Sequence, residues 1–288
     1  MKNLNSDFFE NRTKKWWISF FLFWVMFFVG ADQEFLGVDP EKFKPTSELL
    51  ARSETMLLCI ALLLIYVVPF VYFTRYTCKK MDVSMKQTLF AFFSGWFIPG
   101  WIAGDLNEIV EILMKHFTSK GFVNAWGDSI ETPIVEETLK VLVVVWVLVL
   151  LKRTTREDFL ITGMSVGMGF QISEDLGYIE EYVFGSHYDF MHAINSTLYE
   201  RVSGGLVSHW CYTALVAVAI WMIFFAKGKK IKGIALLLIP ILDHAAYDSP
   251  VVDTASSFGS SIFTGIVCAP LALTFVYVWI KCLPKKHR

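Results

Sequence analysis

Residues 133–151 read Pro-Ile-Val-Glu136-Glu137-Thr-Leu-Lys140-Val-Leu-Val-Val-Val-Trp-Val-Leu-Val-Leu-Leu. The apolar run has the composition of a membrane helix, yet it carries two adjacent carboxylates. Each costs roughly 2.5–3.5 kcal/mol at the centre of a bilayer. A helix that only anchored the chain would not carry them. The stretch therefore points both to a helical membrane protein and to the place where its chemistry sits.

Outward from this stretch, the whole chain reads the same way. It has 288 residues, of which 55% are hydrophobic and 16% aromatic. Apolar segments near the roughly 17–25 residues needed to cross a bilayer recur throughout. About eight transmembrane helices are expected, at residues 16–31, 56–74, 88–104, 133–151, 159–182, 203–226, 231–248 and 259–281. The third is the weakest, because Gly95, Pro99 and Gly100 interrupt it. The fold class is all-α, a polytopic membrane helix bundle forming one integral membrane domain over residues 1–288. Residues 105–120 have helical apolar spacing at Leu106, Ile109, Val110, Leu113 and Phe117, which predicts a helix in the outer interface.

Basic residues set the orientation. Lys14 and Lys15 precede the first span, and Arg75, Lys79, Lys80 and Lys86 follow the second. Lys152, Arg153 and Arg156 follow the fourth, and Lys227, Lys229, Lys230 and Lys232 the sixth. Lys281, Lys285, Lys286 and Arg288 close the chain. The alternate loops hold Asp32, Glu34, Asp39 and Glu41, then Asp105, Glu108, Glu111, Asp128 and Glu131, then Asp253. Both termini are thus expected in the cytoplasm. The net charge of −1 hides this asymmetry and says nothing about nucleic acid, and no nucleic-acid partner is expected. A cleavable signal peptide ending at Val29-Gly30-Ala31 would spoil the even count of spans and has an unusually aromatic core. Five cysteines show no paired spacing, so no disulfide framework follows.

Other ionisable groups recur in the later spans: Glu174 and Asp175, His209, then His244 with Asp248. Alternating span direction brings Glu136, Glu137, Glu174, His209 and His244 into one outer-leaflet layer, and both imidazoles are expected within about 8 Å of a carboxylate, the reach of a shared water or metal. Glu136 and Lys140 are four apart, Glu137 and Lys140 three apart, so one face carries both acids and their counter-charge. His244 and Asp248 are also four apart, a spacing that lets the carboxylate orient the imidazole. Asp175 and Asp243 read as structural, and Glu180 and Glu181 as solvated rim. Gly163-Met-Ser165-Val-Gly167 matches a serine-nucleophile pattern but lies mid-helix, where a small-residue packing face is the better reading. Asn195-Ser-Thr197 is a glycosylation sequon expected on an outer loop.

Four elements in order resemble the PrsW-type intramembrane proteases, relatives of the CAAX prenyl endopeptidases and Abi bacteriocin-processing proteins. Glu136-Glu137-Thr-Leu-Lys140 matches their EExxK element. Phe170 with Glu174 looks like the second, Arg201 with His209 the third, and His244-Ala-Ala-Tyr247-Asp248 the fourth. Asp175 and Ala245 depart from the commoner Asn and Gly. The resemblance covers roughly residues 90–282, a protease-like core. It implies hydrolysis of a membrane protein or peptide substrate near the extracytoplasmic face of the lipid bilayer, in a bacterial plasma membrane. The catalytic set would be Glu136, Glu137, Lys140, Glu174, His209, His244 and Asp248. In a zinc-dependent version, Glu174, His209 and His244 bind Zn2+ and Glu136 is the base. In a metal-free version, Glu136 activates water and the histidines stabilise the oxyanion. The alternatives are an ion- or proton-coupled transporter and a non-catalytic scaffold or immunity protein. The scarcity of charge in the inner halves of spans four to seven argues against transport.

Overall fold

The computed structural model describes residues 12–36, 47–253 and 257–284. Among these residues all regular structure is helical. Helices α1 (Lys14–Leu36) and α2 (Ser47–Met81) are followed by α3 (Met85–Phe97) and α4 (Pro99–Phe117), which a single residue, Ile98, separates. Then come α5 (Lys120–Leu151), α6 (Arg156–Phe184) and the short α7 (Phe190–Ser196). A π-helical turn at Thr197–Val202 leads through α8 (Ser203–Gly205) into α9 (His209–Phe224). The bundle closes with α10 (Lys230–Tyr247), α11 (Pro250–Asp253) and α12 (Ser257–Cys282).

Five stretches are long and apolar enough to cross a membrane: Lys14–Glu34, Ser47–Met81, Met85–Phe117, Phe190–Phe224 and Gly265–Cys282. Eight were expected. The other three expected spans are α5, α6 and α10, which fall short because they carry the charged and polar groups described below. The chain is an integral membrane protein with an all-α bundle. Asp39, Glu41, Lys285, Lys286 and Arg288 lie outside the described residues.

Contacts define the two ends of the bundle. At one, Trp16 Nε1 donates to the Leu150 carbonyl (3.3 Å) and Trp279 Nε1 to Thr77 Oγ1 (3.1 Å). Trp221 Nε1 donates there to the Thr154 carbonyl (2.9 Å). These residues border the basic loops. At the other end, Arg52 donates to the carbonyls of Val183 (3.0 Å) and Gly185 (3.2 Å), and Ser129 Oγ donates to the Asp248 carbonyl (2.8 Å).

Helix α6 is the axis, with residues 158–172 buried without interruption. Glycines let two neighbours close on it. A Cβ at Gly167 would lie 2.3 Å from the His209 carbonyl oxygen, and one at Gly163 2.7 Å from that of Thr213, so α9 packs backbone to backbone. On another side, a Cβ at Gly169 would lie 2.0 Å from the Phe92 carbonyl oxygen of α3. This is small-residue membrane packing. Ser165, the centre of the serine-nucleophile look-alike, is buried and donates to the Ile161 carbonyl (2.7 Å).

Three boundaries differ from expectation. Helix α5 begins at Lys120, with Ser119 Oγ accepting from Phe122 N (3.2 Å), so Pro133 is interior rather than in the first turn. Depth measured from Pro133 is therefore not depth from the helix end. Residues 105–117 continue the helix that Pro99 starts, and the chain breaks at 118–119. The sequon is helical: Asn195 is exposed on α7 and Thr197 is buried, donating to the Ala193 carbonyl (2.7 Å). All five cysteines are free.

Candidate active site

Four helices deliver the ionisable groups to one buried cluster. On α5, Lys140 is fully buried between the two acids one turn before it. Its Nζ donates to Glu136 Oε2 (3.2 Å) and lies 2.6 Å from Glu137 Oε1. The 3- and 4-residue spacing places all three on one face, and the single ammonium serves both carboxylates. Lys140 Nζ, itself with no solvent exposure, also lies 4.2 Å from the centroid of the Phe170 ring on α6, a cation–π contact.

The His209 side chain lies at the start of α9, where Gly167 lets α6 approach the backbone. Its Nδ1 is 2.8 Å from Lys140 Nζ and 3.9 Å from Glu136 Oε2. Its Nε2 is 2.8 Å from Glu174 Oε2 of α6. His244, on the last turn of α10, stacks on Tyr212 with centroids 4.6 Å apart. Its Nδ1 is 3.8 Å from Glu137 Oε1, and its Nε2 is 3.3 Å from Asp248 Oδ2. The two imidazole rings are 5.2 Å apart. Each histidine thus turns Nδ1 toward the Glu136–Glu137–Lys140 group and carries a carboxylate on Nε2. Thr213 Oγ1 donates to Glu137 Oε2 (3.0 Å), completing the inner group.

Glu136, His209 and His244 are all buried, and each offers one ligand atom within 4.8 Å of the others. Two imidazoles and a carboxylate form the donor set of many catalytic zinc centres. His244 Nδ1 is buried without a hydrogen-bond partner, and such an atom carries a desolvation cost that a bound cation would relieve. The residues present therefore fit a metal. Here the carboxylate of the set is Glu136. Glu174, which the sequence expectation grouped with the histidines, instead sits on the outer nitrogen of His209.

A cavity of about 440 Å³ reaches the cluster from α1, α3 and α4. Gly100 and Gly104 form part of its wall, and Glu136 and Glu174 are the cluster residues that line it. The side chain of Glu137 is 2% exposed against 25% for Glu174, so Glu174 is much the more accessible carboxylate.

A second shell was less legible in the sequence. The π turn aims Arg201 at Glu174 (3.9 Å) and Asp175 (3.8 Å). Asp175 accepts from Tyr66 OH (2.6 Å) and Gln171 Nε2 (2.9 Å), and Ser208, beside His209, donates to Gln171 Oε1. Asp243 accepts from Tyr212 OH (3.1 Å), the ring that supports His244. Both aspartates anchor aromatic or polar neighbours rather than face the histidines. Glu180 and Glu181 are exposed. In the sequence Arg201 stood out only beside His209 in the third element, with no role assigned, and Tyr66 was one tyrosine among the many aromatics of α2.

A family model described as PrsW family intramembrane metalloprotease matches residues 84–280. The match runs from the turn before α3 into α12 and contains every residue of the cluster, while α1 and α2 precede it. Neither curated proteins nor solved structures give a match.

Proposed function

The chain belongs to the PrsW family of intramembrane metalloproteases, and from that premise we propose that Glu136, His209 and His244 hold its catalytic metal while Glu174 takes the proton of the attacking water. The enzyme is an intramembrane hydrolase whose substrate is embedded in the bilayer. The single observation that carries the assignment is the convergence of those three ligand atoms within 4.8 Å, one of them belonging to Glu136 on the cavity wall.

Zinc is the metal that this donor set suits best, and when bound it supplies Lewis acidity at the scissile carbonyl and its water. The protein's own groups do the rest. Lys140 offsets the charge of Glu136 and Glu137, which would otherwise be costly at this depth. Glu174 and Asp248, on the outer nitrogens of the histidines, orient the rings. A base must lie within hydrogen-bond reach of the water, and the water enters by the cavity. Glu174 is the candidate because its side chain is partly open to the cavity, with one oxygen on His209. Its proton then has a path to the leaving amine through the same carboxyl group. The roles of Glu136 and Glu174 are thereby exchanged relative to the sequence expectation.

Two observations support cleavage near the extracytoplasmic face, and the bacterial plasma membrane is carried over from the family resemblance. The cluster lies toward the end of the bundle opposite the basic loops, and the cavity opens between α1, α4 and α6 on that side. Glu136→Gln and Glu174→Gln separate the two carboxylates. Both variants lose proteolysis of a single-span substrate, by roughly 10²–10⁴-fold as for loss of a general base. Glu136→Gln also loses bound zinc, whereas Glu174→Gln retains it. Full zinc in an inactive Glu136→Gln, with zinc lost from Glu174→Gln, would restore the original assignment.

A further inference from the structure

Residues 84–280 account for family membership, yet the wall of the active-site cavity is completed by α1, which lies outside them. Gly30, Gln33 and Glu34 line it. Glu34 is held in place by two neutral donors. Trp96 Nε1 of α3 donates to Oε1 (2.9 Å), and Ser173 Oγ of α6 donates to Oε2 (2.9 Å). Ser173 directly precedes Glu174, so Glu34 is locked onto the same turn of α6 that faces the reacting groups.

Three carboxylates line this cavity, Glu34, Glu136 and Glu174, and no lysine or arginine does. Glu136 has Lys140 at 3.2 Å, and Glu174 has Arg201 at 3.9 Å and His209 at 2.8 Å. Among the described residues Glu34 has no cation within ion-pair distance. A carboxylate accepts about four hydrogen bonds, and the two donors of Glu34 are uncharged. The carboxylate is fixed, partly desolvated and, among the described residues, uncompensated. On the same wall, Trp101 Nε1 and Asn107 Oδ1 are buried without partners, one donor and one acceptor.

We propose that Glu34 is a specificity-determining residue that receives a basic side chain, lysine or arginine, of the substrate close to the scissile bond. The inference rests on the protease reading above and adds the substrate class. The fit is electrostatic: a pre-oriented carboxylate facing an ammonium or guanidinium forms a charge-assisted hydrogen bond, about twice as strong as a neutral one. A substrate with an acidic or apolar residue there leaves Glu34 uncompensated in the cavity.

The test measures binding apart from cleavage. Fluorescent single-span peptides carry Lys, Met or Glu at one position near the outer end of the span, and each is titrated against the purified full chain. The wild-type protein is expected to bind the Lys peptide about tenfold more tightly than the Met peptide, the equivalent of one charge-assisted contact. Glu34→Gln, which keeps the Trp96 or Ser173 hydrogen bond, removes the preference and leaves Met-peptide affinity within about twofold. Glu34→Lys reverses the order and favours the Glu peptide, an effect that no purely structural role produces. Equal wild-type binding of Lys and Met peptides at every position scanned overturns the proposal. So does a Lys preference that persists in Glu34→Gln, or one that Glu34→Lys leaves unreversed. Cleavage of the Met peptide is followed in parallel. Its absence from the wild-type protein, with the binding order intact, counts against the catalytic assignment and not against Glu34.

Discussion

Two buried polar clusters sit at opposite ends of α6, and they differ in their histidines and in their access from outside. At the first turn, Asp158 is 4% exposed and its oxygens are filled. Thr155 donates to Oδ2 through both its backbone N (3.2 Å) and Oγ1 (2.6 Å), and Gln87 Nε2 donates to Oδ1 (3.2 Å) and to Thr162 Oγ1 (3.0 Å). That is a capping box with a cross-helix clasp. No histidine joins it, and the 440 Å³ cavity does not reach it. Toward the other end, Glu174 meets His209 and the cavity, and the cluster it joins holds a second histidine and a buried ammonium. Burial of charge is common to both clusters, and so is a partnerless buried atom, Gln87 Oε1 in the first, so neither marks a site. Convergent histidines and access from outside do.

Removing the buried cation should break this contrast most violently. Lys140→Met leaves Glu136 and Glu137 buried without a counter-charge, at a cost of roughly 3–5 kcal/mol. The expected outcome is loss of folded protein by thermal unfolding in detergent, and a Lys140→Met protein of unchanged stability would show that the acids are not ionised together. A smaller effect is expected from Asp248→Asn, which weakens the orientation of His244. Zinc affinity or activity should fall about 10–100-fold with the fold intact, measured by zinc competition and turnover. At the first turn of α6, Thr155→Ala removes a helix cap and should cost only about 1 kcal/mol. Activity per folded molecule stays unchanged. A hundredfold activity loss there would erase the distinction between the two clusters.

The sequence exposed the cluster because charge in hydrocarbon is rare and costly. Glu136, Glu137, Lys140, Glu174, His209, His244 and Asp248 all stood out for that reason, and the helical spacings of Lys140 and Asp248 correctly paired them with their neighbours. The glycines of α6 were legible as a packing face. Helix ends were not. Hydropathy reports the apolar slab, whereas α5 continues through the polar residues 120–132 on its own hydrogen bonds, so Pro133 looked like a start. The proposed division of labour between Glu136 and Glu174 rests on side-chain direction, which spacing alone does not contain. Glu34 was read as part of an acid-rich outer loop. Only the approach of α1 to Trp96 and Ser173, separated by 62 and 139 residues in sequence, reveals it as cavity wall.

The central claim is that Glu136, His209 and His244 form one metal centre. X-ray absorption at the zinc edge, on purified enzyme active against a single-span substrate, tests it most directly. The account predicts one zinc per chain with two imidazole nitrogens and carboxylate or water oxygens at about 2.0–2.2 Å, and loss of one imidazole from the first shell in either His209→Ala or His244→Ala. A fully active enzyme without zinc, or a zinc shell unchanged by both histidine substitutions, would contradict it.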